Sequence, residues 1–345
     1  MTTPAAPEWI DAGERSATEL HALYTGLAAS TAPDAPPRVL WVRSREAHVS
    51  VGGSQDPDAD LDLEHCAARG IPVVRRPLGG GSVWVDADQD CFFVIRSGRA
   101  LKRGHRHLFA QGLAMAVDVL RELGLQGVET RGQDVWVQGR KIMGTGAATL
   151  NEGCVFGASF LGRFPVEEFL ACVRAPSEGY RDWLRPVLEA GMTDCAGELG
   201  DPPDSTAVRD TLRRVAERRF EAPLQDRSPD AATLETWLAA GYEELEDLSD
   251  GDARPSVPEG IRVNRDNHVF ETQVDRARLR LHVEGQRIAR VWCEDPAVDR
   301  VLGDRLAGES PERLHLRSRL AGHLEPALAD ALSARIDALY RGITT

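Results

Sequence analysis

The chain has 345 residues, 42% of them apolar and 28% charged, which describes a globular protein of two domains rather than a disordered one. Its 54 acidic residues outnumber 41 basic ones for a formal net charge of −13, which argues against nucleic acid as the partner. No stretch approaches the roughly 18 apolar residues of a membrane span, and the first residues lack the cationic and apolar regions of a secretory signal. Six cysteines, none in a Cys-x-x-Cys pair or at metal-ligand spacing with histidine, read as buried small hydrophobes of a reducing compartment. The expectation is a cytoplasmic protein with no membrane contact, zinc site or disulfide framework.

Helical spacing of apolar residues over 14–30 predicts an opening helix, broken by the prolines of 33–37. Residues 39–42 read as a buried strand, and the alternating run 48–51 leads into a tight loop, Gly52-Gly53-Ser54-Gln55. A short helix over 61–69 and a strand over 72–75 follow. Next come strands at 82–85 and 91–95, a strongly periodic helix over 108–123, and a hairpin of 135–137 with 140–143 turning at Gln138-Gly139. A strand at 155–161 and a helix at 166–173 lead to a proline- and aspartate-rich stretch with helices near 207–219 and 231–248. Residues 251–258 read as a linker. Beyond it, four antiparallel strands (261–263, 269–274, 279–283, 288–292) and helices near 297–306 and 325–340 complete an α+β protein.

Two segments carry chemistry. Arg75-Arg76-Pro77-Leu78-Gly79-Gly80-Gly81-Ser82 sets three consecutive glycines between two strands, where backbone N–H groups can converge on an anion and arginines can clamp phosphate oxygens. The loop is neither a Walker A loop, which needs a lysine and a following helix, nor a dinucleotide fingerprint, because a strand follows it. The second segment runs Gln133-Asp134-Val135-Trp136-Val137-Gln138-Gly139-Arg140-Lys141-Ile142-Met143-Gly144-Thr145-Gly146. Only two lysines, Lys102 and Lys141, stand among the 41 basic residues, and Lys141 sits beside an arginine that already supplies charge. Its retention points to a need for a compact ammonium on a flexible stem. Gly144 and Gly146 leave room for a ligand across the strand. Lys102, His105 and His107 fall in a basic run that reads as a solvated face.

Together these segments resemble the lipoate–protein ligase branch of the superfamily that also holds biotin–protein ligases and octanoyl transferases. The family pattern, Arg-Arg-x-x-Gly-Gly-Gly followed by an Asn-Asp hairpin and Gly-x-Lys-x-x-Gly-[ST]-[AG], is met at Arg75, Arg76, Gly79, Gly80, Gly81, Asp86, Asp134, Lys141, Gly144, Thr145 and Gly146, with Gln55 as the upstream glutamine. The chain departs from it at Val85-Asp86, where the family has His-Asp, and at Gln133-Asp134, where it has Asn-Asp. The resemblance implies a mixed-sheet ligase domain over 1–250 and a small α+β accessory domain over 256–345. It implies activation of lipoate or octanoate as an acyl-adenylate with ATP and Mg²⁺, without a metal site of the protein's own. Transfer then goes to a lysine of a lipoyl carrier, whether a glycine-cleavage carrier, a dehydrogenase E2 subunit or a specialised one. Lys141 is then the catalytic residue. Arg75, Arg76, Gly79, Gly80, Gly81, Ser82, Asp86, Gln133, Asp134, Gly144, Thr145 and Gly146 hold the nucleotide, and Gln55, Trp84 and Trp136 line the acyl group. The rival expectation is an octanoyl transferase that forms a thioester on Cys172 without ATP.

Overall fold

The computed structural model describes residues 6–100, 105–249 and 257–344. Lys102 and most of the expected linker lie outside them. Contacts divide the chain into two units that are discontinuous in sequence: 1–58, 63–165 and 192–254 form the first, and 59–62, 166–191 and 255–345 the second.

The first unit is built on a mixed six-stranded sheet. Its strand order is Thr145–Leu150, Gly153–Leu161, Gln89–Ser97, Arg38–Ser44, Glu8–Arg15, Gln225–Asp226. The central strands are apolar on both faces because both are covered. Val39, Trp41, Phe92, Val94, Phe156 and Phe160 turn to one side, against the helices His105–Glu122 and Ser205–Phe220. Leu40, Val42, Phe93, Ile95 and Val155 turn to the other, against Leu20, Leu23, Tyr24 and Leu27 of the helix Ala17–Ala29 and Trp237 of Ala231–Ser249. The first helix starts at 17 rather than 14 because Ser16 and Glu19 form a reciprocal capping box, and the strand Glu8–Arg15 precedes it. That strand pairs in parallel with Arg38–Ser44.

Two small sheets flank this core. Val73–Arg76, His48–Gly52 and Val83–Val85 make one, with His48–Gly52 in the middle. Val128–Arg131, Asp134–Val137 and Arg140–Met143 make the other. The expected hairpin turn is present, with positive φ at Gln138 (50°) and Gly139 (82°), as a two-residue hairpin of primed type requires.

In the second unit, the strands Gly260–Arg262, Asn267–Val274, Ala277–Glu284 and Arg287–Cys293 form an antiparallel sheet. The helices Pro296–Leu306, Arg313–Leu320 and Pro326–Thr344 follow it. The helix Glu178–Gly191, upstream of the expected linker, groups with this unit. Tyr180 donates from its hydroxyl to the Val269 carbonyl at 2.7 Å, and the Arg290 guanidinium lies 4.0 Å from the Trp183 ring. Among the described residues no helix is long and apolar enough to cross a membrane.

The helices Ala17–Ala29 and Ala231–Ser249 cross at a glycine pair. A Cβ on Gly26 would sit 1.8 Å from the Trp237 carbonyl oxygen, and one on Gly241 1.8 Å from that of Ala22. Both obstacles are backbone, so neither can swing aside. Gly26→Ala is expected to destabilise the first unit by about 2–3 kcal/mol, read as a lowered urea midpoint with unchanged m-value.

Candidate functional site

The glycine triplet is held from below by Arg76, whose side chain is buried. Its Nη1 donates to the Ser50 carbonyl at 2.6 Å and to Ser50 Oγ at 3.2 Å, and its Nη2 donates to the carbonyls of Gly79 (3.1 Å) and Gly81 (2.8 Å). A trans peptide points its C=O and its N–H in opposite directions. Carbonyls of Gly79 and Gly81 turned onto the guanidinium therefore turn the N–H groups of Gly80 and Ser82 away from it. Gly80 takes φ of 98°, a region that favours glycine. Burial pulls Arg76 down to about 10, the opposing pull coming from Tyr24.

Arg75, next along the strand, turns to the opposite face. It donates to the Gly53 carbonyl from Nε (2.9 Å) and Nη2 (2.6 Å) and to the Leu248 carbonyl from Nη1 (2.6 Å). Both arginines, read from sequence as phosphate clamps, thus direct these donors to backbone carbonyls. Gln55 belongs to the same scaffold: Oε1 accepts from Gly52 N at 2.8 Å and Nε2 donates to Ser82 Oγ at 3.3 Å. Gly52 lets the loop lie on the strand, since a Cβ there would meet the Gly80 carbonyl oxygen at 2.0 Å.

Lys141 sits on the strand Arg140–Met143. Its Nζ lies 2.9 Å from Asp134 Oδ1, and both side chains are largely buried. Asp134 and Trp136 share the face on which Lys141 stands opposite Trp136, while Val135, Val137 and Ile142 turn into the core. The Lys141 carbonyl accepts from Thr193 N at 2.9 Å, which joins Met192-Thr193 to this strand. Thr193 Oγ1 and Arg140 Nη2 both donate to Glu198 Oε1 at 2.7 Å. Glu198 carries no mark in the sequence because it stands far along the chain from the motif it braces.

The two segments meet. A Cβ on Gly146 would lie 3.0 Å from the Gly79 carbonyl oxygen and 3.1 Å from Leu78 Cβ, and one on Gly144 3.6 Å from Lys141 Nζ. The path from triplet to ammonium thus runs Gly79, Gly146, Gly144, Lys141. Thr145, between the glycines, donates from its hydroxyl to the carbonyl of Gln133, whose residue is exposed.

Trp84 and Asp86 bind each other. The Trp84 indole donates to Asp86 Oδ2 at 2.7 Å and Asp88 N donates to Oδ1 at 2.9 Å, which closes the turn after Val83–Val85. Burial pushes the Asp86 carboxyl above its usual range, against those two bonds. Trp136 is buried with the Arg131 guanidinium 4.9 Å from its ring centre. Cys172 ends the helix Val166–Cys172 in the second unit at 0% exposure.

The model of the family described as "Lipoyl protein ligase A/B catalytic domain" matches residues 17–217. A lipoate–protein ligase of Streptococcus pyogenes is 33% identical over 124 residues, which cover 34% of this chain and 34% of that protein. The chain therefore matches about a third of that relative's length. An octanoyltransferase LipM of Kyrpidia tusciae is 25% identical over 217 residues, covering 54% of this chain and 77% of that one. Among solved structures, a bipartite lipoate protein ligase of Thermoplasma acidophilum, studied with its E2 lipoyl domain, superposes with a TM-score of 0.62 at 20% identity. It covers 72% of this chain and 95% of that one. A lipoate-protein ligase A bound with ATP gives 0.58 at 18% identity, covering 72% and 98%. These structural likenesses show a shared fold. With the family match running through the helix Ala17–Ala29, the glycine triplet and Lys141, the chain belongs to the lipoyl protein ligase A/B catalytic domain family.

Proposed function

We propose that the protein is a cytoplasmic ATP-dependent lipoate–protein ligase. It activates lipoate or octanoate as acyl-AMP and passes the acyl group to a lysine of a lipoyl carrier domain. The observation that carries this reading is the approach of the glycine triplet to the strand of Lys141 through Gly146 and Gly144. An anion cradle beside an ammonium suits a reaction in which negative charge builds on phosphate oxygens. The ATP-bound neighbour and the archaeal ligase studied with its E2 domain support the choice of nucleotide and of carrier.

In the first step a carboxylate oxygen attacks the α-phosphorus and the bond to pyrophosphate breaks. Lys141 exchanges its ion pair with Asp134 for the incoming oxygens, and the outward N–H groups of Gly80 and Ser82 donate to phosphate oxygens. In the second step the neutral amine of the carrier lysine attacks the acyl carbonyl, the bond to AMP breaks and the amine gives up its proton. Mg²⁺ would arrive on the phosphates. Among the described residues no cluster of three metal-ligating side chains exists to hold it alone, and Asp134 supplies a carboxylate beside Lys141. The segment 256–345 would act as the accessory domain.

The transferase reading has the Kyrpidia relative on its side, but it needs a reactive thiolate. Reactive cysteines lie in partly exposed, electropositive surroundings, whereas Cys172 is wholly buried. Carboxylate, ATP and Mg²⁺ are expected to give pyrophosphate release and a mass gain on the carrier. Acylation from carrier thioesters without ATP, abolished by Cys172→Ala, would establish the transferase instead.

Lys141→Arg is expected to lower adenylation by at least about 100-fold with an unchanged circular dichroism spectrum, because a planar fork cannot take the place of the compact ammonium. Near-native rates in that variant would remove Lys141 from the chemistry. Gly52→Ala, which forces its Cβ onto the Gly80 carbonyl, is expected to weaken ATP binding by about tenfold or more in calorimetry while Lys141 is untouched.

A further inference from the structure

Beside the glycine loop lies a polar chain that the acyl transfer leaves unused. His21, Tyr24 and His48 are all buried, and Tyr24 is fixed by stacking on Phe93 with ring centres 4.0 Å apart. Tyr24 Oη is 3.3 Å from His21 Nδ1, and His21 Nε2 is 3.2 Å from His48 Nε2. His48 Nδ1 is 3.1 Å from Ser44 Oγ and 3.3 Å from the Glu46 carbonyl oxygen, and Ser44 Oγ donates to that same carbonyl at 2.7 Å.

The acceptors fix every proton in this chain. A carbonyl oxygen only accepts, so His48 carries its hydrogen on Nδ1 and presents a bare Nε2. His21 must then donate from Nε2, which leaves its Nδ1 to accept from the Tyr24 hydroxyl. Both imidazoles are therefore neutral. A proton added to either leaves two N–H groups facing each other across 3.2 Å or strips the Tyr24 hydroxyl of its acceptor. The charged and titratable groups facing the pair pull both ways, and burial decides. Arg76 opposes charge on both rings and Glu46 favours it on His48, while Tyr24 keeps its proton because it is buried.

The pair joins two elements that carry the loop. His21 and Tyr24 stand on the helix Ala17–Ala29, and His48 opens the strand His48–Gly52. Two residues on, Ser50 accepts both hydrogen bonds of Arg76 Nη1, and Gly52 underlies the Gly80 carbonyl. We propose that His21 and His48 are positioning residues: the neutral pair locks the strand His48–Gly52 to the helix Ala17–Ala29, and protonation in acid releases that strand, slackens the glycine loop and weakens nucleotide binding. The nucleotide itself rests on the ligase reading above; the coupling of pair to loop does not.

Burial is the main cause that holds His48 at about 4 and His21 well below its usual value. An unfolded chain binds these protons near its ordinary value of about 6.5, so stability is full above that pH and falls as pH drops toward 4. Imidazole ¹⁵N shifts of the intact protein are expected to show bare nitrogens at His21 Nδ1 and His48 Nε2, and amide shifts of Gly80 and Gly81 are expected to move in step with the histidine titration. The reverse tautomers, titration near the ordinary histidine value, or loop amides indifferent to the titration would overturn the proposal. ATP affinity of the native protein is expected to fall about twofold between pH 7.5 and about 4, where half of His48 is protonated, beyond the fall in the variant His21→Gln/His48→Gln, which reports the nucleotide's own titration. Equal falls in both overturn the role in nucleotide binding. No ATP binding at any pH overturns the ligase reading instead, and the ¹⁵N and amide shifts, which also decide the matter if the variant does not fold, then judge the pair alone.

Discussion

Arg76 carries a positive charge out of water, and a guanidinium in that position must find acceptors for its N–H groups or unfold its surroundings. It finds them in Ser50 and in the carbonyls of Gly79 and Gly81. None of these acceptors is a carboxylate, so the bonds satisfy the hydrogens without cancelling the charge. The loop above is thus shaped by the cation and bathed in its field. An anion resting on the outward N–H groups of that loop would supply the missing counter-charge. Of the triplet, Gly80 has the left-handed φ of 98° that favours glycine, and its carbonyl lies where a Cβ on Gly52 would sit.

Lys141 faces a different constraint. It is paired with Asp134 at 2.9 Å on a strand whose inner residues are locked into the core, so its backbone position is fixed while its head, among the described residues, is held by one ion pair. A pair of this kind is easily exchanged when a stronger anion arrives, because a compact ammonium can turn on its stem without moving the strand. Glu198, by tying Thr193 to Arg140, braces the segment whose amide bonds the Lys141 carbonyl.

Much of this was readable from the chain. Strands at the centre of the large sheet announce themselves as apolar runs because both faces are covered, and the turn at Gln138-Gly139 marks the Lys141 hairpin. The strand Glu8–Arg15 escapes notice because its acidic residues and Gly13 mask the pattern, and Thr145–Leu150 because its glycine and alanines have little strand propensity. Pro186 disguises the helix Glu178–Gly191. The direction of the arginines was beyond sequence reasoning for a physical reason: their acceptors at Gly53, Ser50 and Leu248 lie 22, 26 and 173 residues away. Residue type told of a positive charge, and only the fold decides which face it serves.

Family membership alone leaves ligase and transferase on the same scaffold, since the chain has relatives named for each activity. What separates them is how each activates the acyl group. A thioester route needs an accessible thiolate, and all six cysteines are buried; burial pushes the thiols of Cys91, Cys154, Cys195 and Cys293 further from ionisation. An adenylate route needs an anion cradle and a movable cation within reach of one another. The glycine approaches at Gly146 and Gly144 bring the glycine loop beside the strand of Lys141, which is held by the core.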